Sequence, residues 1–134
     1  MNQKNKEATG IIEKELAYEI VNAAYEVHNV LGPGFLESIY EEGMAIELSA
    51  RGHRVERQAR IAVIYKDRKI GEHVLDLVID NRIILEIKAV TDIAPIHKQQ
   101  ALSYLKSTGY QLAIVINFGA TRVQTTRVVL TNKS

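Results

Sequence analysis

Three charged residues interrupt stretches that otherwise read as buried β-strand. Asp76 breaks the run Val74–Ile79, and Glu86 and Lys88 break Ile83–Val90, both runs being rich in β-branched residues. A charge in a sheet core is costly unless it is paired or bound to a metal. The period of two in a strand puts Glu86 and Lys88 on one face. Whether Asp76 joins them depends on the connecting loop. A two-residue turn at Asp80-Asn81 pairs Asp76 with Leu85, whereas a three-residue loop, Asp80–Arg82, pairs it with Glu86. Asn81 tolerates positive φ and three-residue hairpin loops are common, so the register that gathers all three charges is expected. Two facing carboxylates repel unless something cationic lies between them. Lys88 meets that need as a structural ion pair; a hard divalent ion, magnesium or manganese, meets it as a metal site. On the residues alone both readings stand.

Four further residues lie on inward-facing helical stripes. Glu37 shares a face with Tyr40, Met44 and Leu48, and it is also an acid in a first helical turn, where the helix dipole favours it. His28 falls on the apolar stripe of Ala17, Ala24 and Leu31, as a core histidine or a ligand. Gln100 and Tyr104 are four apart, hence on one face, flanking Ala101, Leu102 and Leu105. They reach a substrate, or one another. Other chemistries lack their residues: there is no phosphate-binding glycine loop, no zinc-type histidine spacing, no nucleophile elbow and no cysteine.

The elements that must position these groups follow from apolar periodicity. Helical spacing runs from Glu13 to Leu31 and stops at Gly32-Pro33-Gly34; a second helix runs from Leu36 to Ala50 and ends at Gly52. Strands are expected over Val55–Ile64, Ile70–Ile79 and Ile83–Val90, with hairpin loops at Lys66–Lys69 and Asp80–Arg82. Pro95 opens a third helix that ends near Gly109, followed by strands Leu112–Asn117 and Val123–Leu130. The order α-α-β-β-β-α-β-β describes an α/β domain with a central mixed sheet flanked by helices. Residues 1–10 read as a disordered N-terminal tail, and 11–134 as the domain.

With 134 residues, 46% apolar and 25% charged, the chain has the composition of one folded unit. No segment approaches the roughly 20 apolar residues of a membrane span, and the absence of cysteine is consistent with the cytoplasm. A net charge of +1 does not announce a nucleic-acid binder. Any such role needs a local patch, for which Arg51, His53, Arg54, Arg57 and Arg60 are the candidates; the alternative is a solvated connector.

The segment Gly34-Phe35-Leu36-Glu37-Ser38-Ile39-Tyr40 resembles the signature of the bacterial and archaeal GxxExxY proteins. The blocks Glu26-Val27-His28, Asp76-Leu77-Val78, Glu86-Ile87-Lys88-Ala89-Val90, Gln99-Gln100, Tyr104-Leu105 and Ile116-Asn117-Phe118-Gly119 resemble that family in the same order. It is placed in the PD-(D/E)XK nuclease superfamily, so the resemblance implies a restriction-endonuclease-like fold and a metal-dependent nuclease acting on nucleic acid, with DNA the expected substrate. It implies Asp76 as the first-motif acid, Glu86-Ile87-Lys88 as the E-x-K element, and Glu37 as the helix acid. Gln100 and Tyr104 match a Q-x-x-x-Y element that contacts substrate or supports the site. Magnesium, or manganese, would be held by Asp76, Glu86 and the Ile87 carbonyl, with Glu37 or His28 completing the shell, and Lys88 would act on the attacking water. Leu75 stands where the superfamily's name places proline. The other class of function on this fold is a non-catalytic nucleic-acid- or protein-binding module. The chain is small enough that specificity would come from a homodimer or a protein partner.

Overall fold

The computed structural model describes residues 12–131; the tail expected over 1–10 lies outside them. Among the described residues eight elements follow in the expected order: α1 (Lys14–Leu31), α2 (Glu37–Ala50), β1 (Val55–Tyr65), β2 (Arg68–Ile79), β3 (Ile83–Lys88), α3 (Pro95–Thr108), β4 (Leu112–Asn117) and β5 (Gln124–Val129). The five strands form one mixed sheet in the order β1-β2-β3-β4-β5. β3 and β4 are parallel, the other neighbours antiparallel. A parallel pair needs a crossover, and α3 provides it.

Both faces of the sheet are covered. Leu77, Ile79, Ile83, Leu85 and Ile87 meet Ile20, Ala24, Tyr40, Met44 and Leu48 of α1 and α2. Val78, Ile84, Ala113 and Val115 meet Ala101, Tyr104 and Leu105 of α3. That double burial explains why β3 and β4 read as nearly continuous apolar runs.

The first hairpin departs from expectation. Lys66–Lys69 is not a four-residue loop: Tyr65 pairs with Arg68 across a two-residue turn, with Lys66 and Asp67 at φ 48° and 67°. Positive φ at both central positions is the turn that matches strand twist. β1 and β2 therefore run on as a ribbon, with Ile64, Tyr65 and Ile70 exposed. At its other end β3 stops at Lys88 rather than Val90.

The entry to α2 is locked by Tyr40. Its hydroxyl donates to the Gly32 carbonyl and accepts the Phe35 N–H at 3.2 Å, while its ring stacks 4.7 Å from Phe118. Gly32 and Gly34 sit at φ 72° and 111°, a region where a side chain is strained.

Candidate active site

β2 leaves β3 at Asp76. The ladder between them reads Leu77↔Leu85, Val78↔Ile84 and Ile79↔Ile83, the register of a three-residue loop. Asp80 and Asn81 adopt φ 54° and 55°, and the Arg82 N–H closes the loop on the Ile79 carbonyl at 2.9 Å. Continuing that register sets Asp76 opposite Glu86. Instead of another rung, the Ile87 N–H donates to Asp76 Oδ2 at 2.8 Å. A strand residue turns its N–H and C=O toward the same neighbour, so the Ile87 carbonyl is also directed to the Asp76 side.

On β1 the irregularity is matched. Ladder pairs run Arg57↔Leu77 and Ala59↔Leu75, skipping Gln58, which has φ 53°. Leu77 belongs to the α1–α2 layer and Leu75 to the α3 layer, so the inside-outside alternation breaks at Asp76. The fork in the sheet is where the acid is set.

Glu86 is 3% exposed, and its Oε2 has no hydrogen-bond partner. Burial first, then the Asp76 charge, raises its pKa to about 8, against the pull of Lys88 and the Asp76 main chain. Burial likewise raises Asp76 to about 6, opposed by the Ile87 hydrogen bond and Lys88 and reinforced by Glu41 and Glu37. Lys88 is half-buried and makes no ion pair among the described residues. The purely structural Lys88 pair thus lacks its contact among the described residues, although the Lys88 charge still acts on both acids. They suit a hard cation.

The remaining expected groups are distributed unevenly. Tyr104 is buried, with its hydroxyl pKa pushed up by burial and by the Glu86 and Asp76 charges, and its ring meets His73 edge-on at 4.6 Å. Gln100 is exposed, and no side-chain hydrogen bond joins it to Tyr104 among the described residues. Glu37 is also exposed rather than inward, although its charge reaches both acids. His28 Nε2 donates to the Ala120 carbonyl at 3.1 Å, and its ring stacks on Phe118 with centroids 6.2 Å apart. It lies on α1, packed on Phe118 of the α1–α2 layer, while strand alternation turns Glu86 with Ile84 toward α3. No group of three His, Cys, Asp or Glu side chains among the described residues is arranged around a common metal position.

Glu41 is the acid that sequence reasoning missed. One turn beyond Glu37, it is 8% exposed and takes hydrogen bonds from Arg57 and from Gln58 Nε2 at 3.0 Å. Its place on the stripe of Met44, Ala45 and Leu48 was the available signal. Arg57 is also spoken for by Glu42, Arg51 by Glu47 and Arg60 by Glu72, while His53 bridges Glu19 and Asp80. The expected basic patch is therefore a set of ion pairs, with Arg54 unpaired among the described residues.

The profile of the PD-(D/E)XK nuclease superfamily matches residues 14–128. The chain belongs to the PD-(D/E)XK nuclease superfamily. No curated protein and no solved structure gives a significant match. Members of this superfamily typically use divalent metals, and the Asp76, Glu86 and Lys88 constellation lies where β2 and β3 part in this superfamily domain.

No described helix is long and apolar enough to cross a membrane. Beyond Lys88 the chain is held by Asn117, whose side-chain oxygen accepts the Val90 and Gly119 N–H groups and whose amide donates to the Val90 carbonyl and to Gln124. Gly119 lies so close to Val90 that a Cβ would fall 2.4 Å from its carbonyl oxygen. Together these contacts anchor the segment that follows Lys88.

Proposed function

We propose that the protein is a metal-dependent nuclease of the GxxExxY type, hydrolysing phosphodiester bonds in DNA, with residues 11–134 as the nuclease-like domain. One observation carries the reading: a buried carboxylate oxygen on Glu86 without a partner, near the half-buried Asp76 and with no ion pair to Glu86 among the described residues. Such a group is costly unless a cation completes it. Asp76, Glu86 and the Ile87 carbonyl would hold magnesium or manganese, with Glu37 on the solvent side, and the ion supplies Lewis acidity toward a phosphate oxygen.

The chain's own groups do the rest. The Ile87 N–H fixes one Asp76 oxygen and leaves the other free to bind. Lys88, half-buried next to both acids, orients the attacking water and offsets the negative charge that grows on the phosphate. Tyr104 keeps its proton, since burial and the Glu86 and Asp76 charges raise its hydroxyl pKa, and so would serve as a donor rather than an acceptor of charge. The cysteine-free composition fits a reducing cytoplasm, and a homodimer or protein partner would supply sequence preference.

Incubating supercoiled plasmid with magnesium or manganese tests the reading. Wild type is expected to nick or linearise it and Glu86→Ala to leave it intact. Equal cleavage by both proteins, or none by wild type with either metal on single-stranded, duplex and branched DNA, refutes it.

A further inference from the structure

Beside the fork runs a groove of about 480 Å3 between the β1–β2 ribbon and α3, lined by Val63, Ile64, His73, Ser103, Lys106 and Ser107. Its volume is within the range of pockets that take small organic groups. One wall is apolar. The other carries a cation, an imidazole and two hydroxyls, with no carboxylate among the lining residues. A larger cavity of about 700 Å3 along α1 has no excess of positive charge, because Glu15 and Glu19 stand in its wall with Lys14 and Arg127.

The polar wall is unspent: among the described residues Lys106, His73 and Ser107 side chains make no hydrogen bond, and Lys106 is exposed. The groove is also joined to the acids. His73 packs against Tyr104, and the Tyr104 hydroxyl feels the charges of Glu86 and Asp76 after burial itself.

We propose that the groove between the β1–β2 ribbon and α3 holds the sugar–phosphate backbone of the nucleic-acid strand next to the scissile bond. This rests on the nuclease reading. Lys106 and the Ser107 hydroxyl contact a phosphate, His73 reaches the same strand, and Val63 with Ile64 takes the apolar face of the sugar. A backbone contact positions the strand without reading its sequence.

The test uses full-length Glu86→Gln, calcium and a fluorescent 20-mer, in single-stranded and duplex form, followed by anisotropy across a salt series. Each phosphate contact contributes a salt slope of about 0.7–0.9, equivalent to about 5- to 8-fold at 0.1 M salt. Adding Lys106→Ala is expected to weaken binding by that factor and lower the slope by about one. Lys14→Ala, an equal charge loss on α1, is expected to leave both unchanged. Equal effects of the two substitutions overturn the proposal, as does displacement by polyglutamate as effective as that by unlabelled DNA, which marks an acidic-peptide site instead. Absence of binding to either DNA form also overturns it. Cleavage by wild type with no Lys106 effect removes the groove and leaves the nuclease standing. Lys106-dependent binding without cleavage in any metal keeps the groove and removes the nuclease.

Discussion

Asp76 Oδ2 receives the main-chain N–H of Ile87, at 2.8 Å, where the next rung of the β2–β3 ladder would fall. A side chain thus replaces a backbone acceptor, and the second acid, Glu86, is carried on the residue just before the donor. The two carboxylates are held by the same break in the sheet.

That arrangement makes apo stability fall as pH rises. The folded pKa values of Asp76 and Glu86, about 6 and about 8, exceed the ordinary 3.8 and 4.5, so the folded chain binds protons more tightly than the unfolded one. Stability from these groups is full at about pH 4 and declines up to about pH 8. His53, raised chiefly by its Asp80 hydrogen bond, has the same sign: its contribution is full below about 6.5 and lost above its folded value. Thermal melts of the His53→Gln protein at pH 5 and pH 8 isolate the acids, with the lower Tm expected at pH 8. Manganese is expected to raise Tm more at pH 8 than at pH 5, because it must displace those protons. A pH-independent Tm refutes the assignment.

Glu86→Gln removes the buried charge while retaining the shape. Apo stability at pH 8 is expected to rise by about 1–3 kcal/mol, measured by urea unfolding, while plasmid cleavage is lost. A destabilised variant would mean that a partner already satisfies Glu86 in solution.

Lys88→Ala separates ligand from catalyst. The metal-induced Tm shift is expected to survive, and turnover to fall by about 10²- to 10³-fold, as for loss of one group that stabilises developing charge. Loss of the metal shift would instead make Lys88 part of the binding site.

Tyr40→Phe keeps the stack on Phe118 and deletes the hydroxyl that joins Gly32 to Phe35. The expected cost is about 1–3 kcal/mol, since two backbone groups lose their partner. Equilibrium denaturation reads it directly.

Gly119→Ala sets a methyl against the Val90 carbonyl, a backbone atom with no rotamer to yield. Overpacking of this kind costs about 1–3 kcal/mol. The substitution is also expected to reduce cleavage, because Val90 lies two residues beyond Lys88. Unaltered stability would show that the Ala89–Val90 segment shifts freely.

Much of this was legible in the chain. Period two and Asn81's tolerance of positive φ were enough to read the three-residue loop and its register, but not that the ladder ends at Leu77↔Leu85, with the Ile87 N–H bond to Asp76 in place of a direct Asp76–Glu86 rung. The Glu41–Arg57 pair was not legible. Its geometry depends on Gln58 adopting φ 53°, which a glutamine does not advertise. His28 was read correctly as inward, but the side of the sheet it serves is set by how α1 packs, and an apolar stripe does not encode that. Residues 66–69 looked like a loop because charged residues crowd there; an exposed ribbon accepts the same charges at little cost. The basic run at 51–60 forms ion pairs in place of a patch: Arg51 takes Glu47 one turn back on the helix it caps, a spacing visible in the sequence, while Glu41, Glu42 and Glu72 come from other elements.

The ribbon beyond the fork is braced by its own ladder, and its exposed tip turns back within two residues. Its length is therefore adjustable independently of the carboxylates, in pairs of residues or by a single residue where a bulge absorbs it, as at the register shift between Val63 and Ile64. An even change preserves which side chains face α3; an odd one without a bulge reverses every face from the insertion to the turn. Descendants of this sequence that reach farther along a substrate can do so by whole pleats, with the acids left where they are.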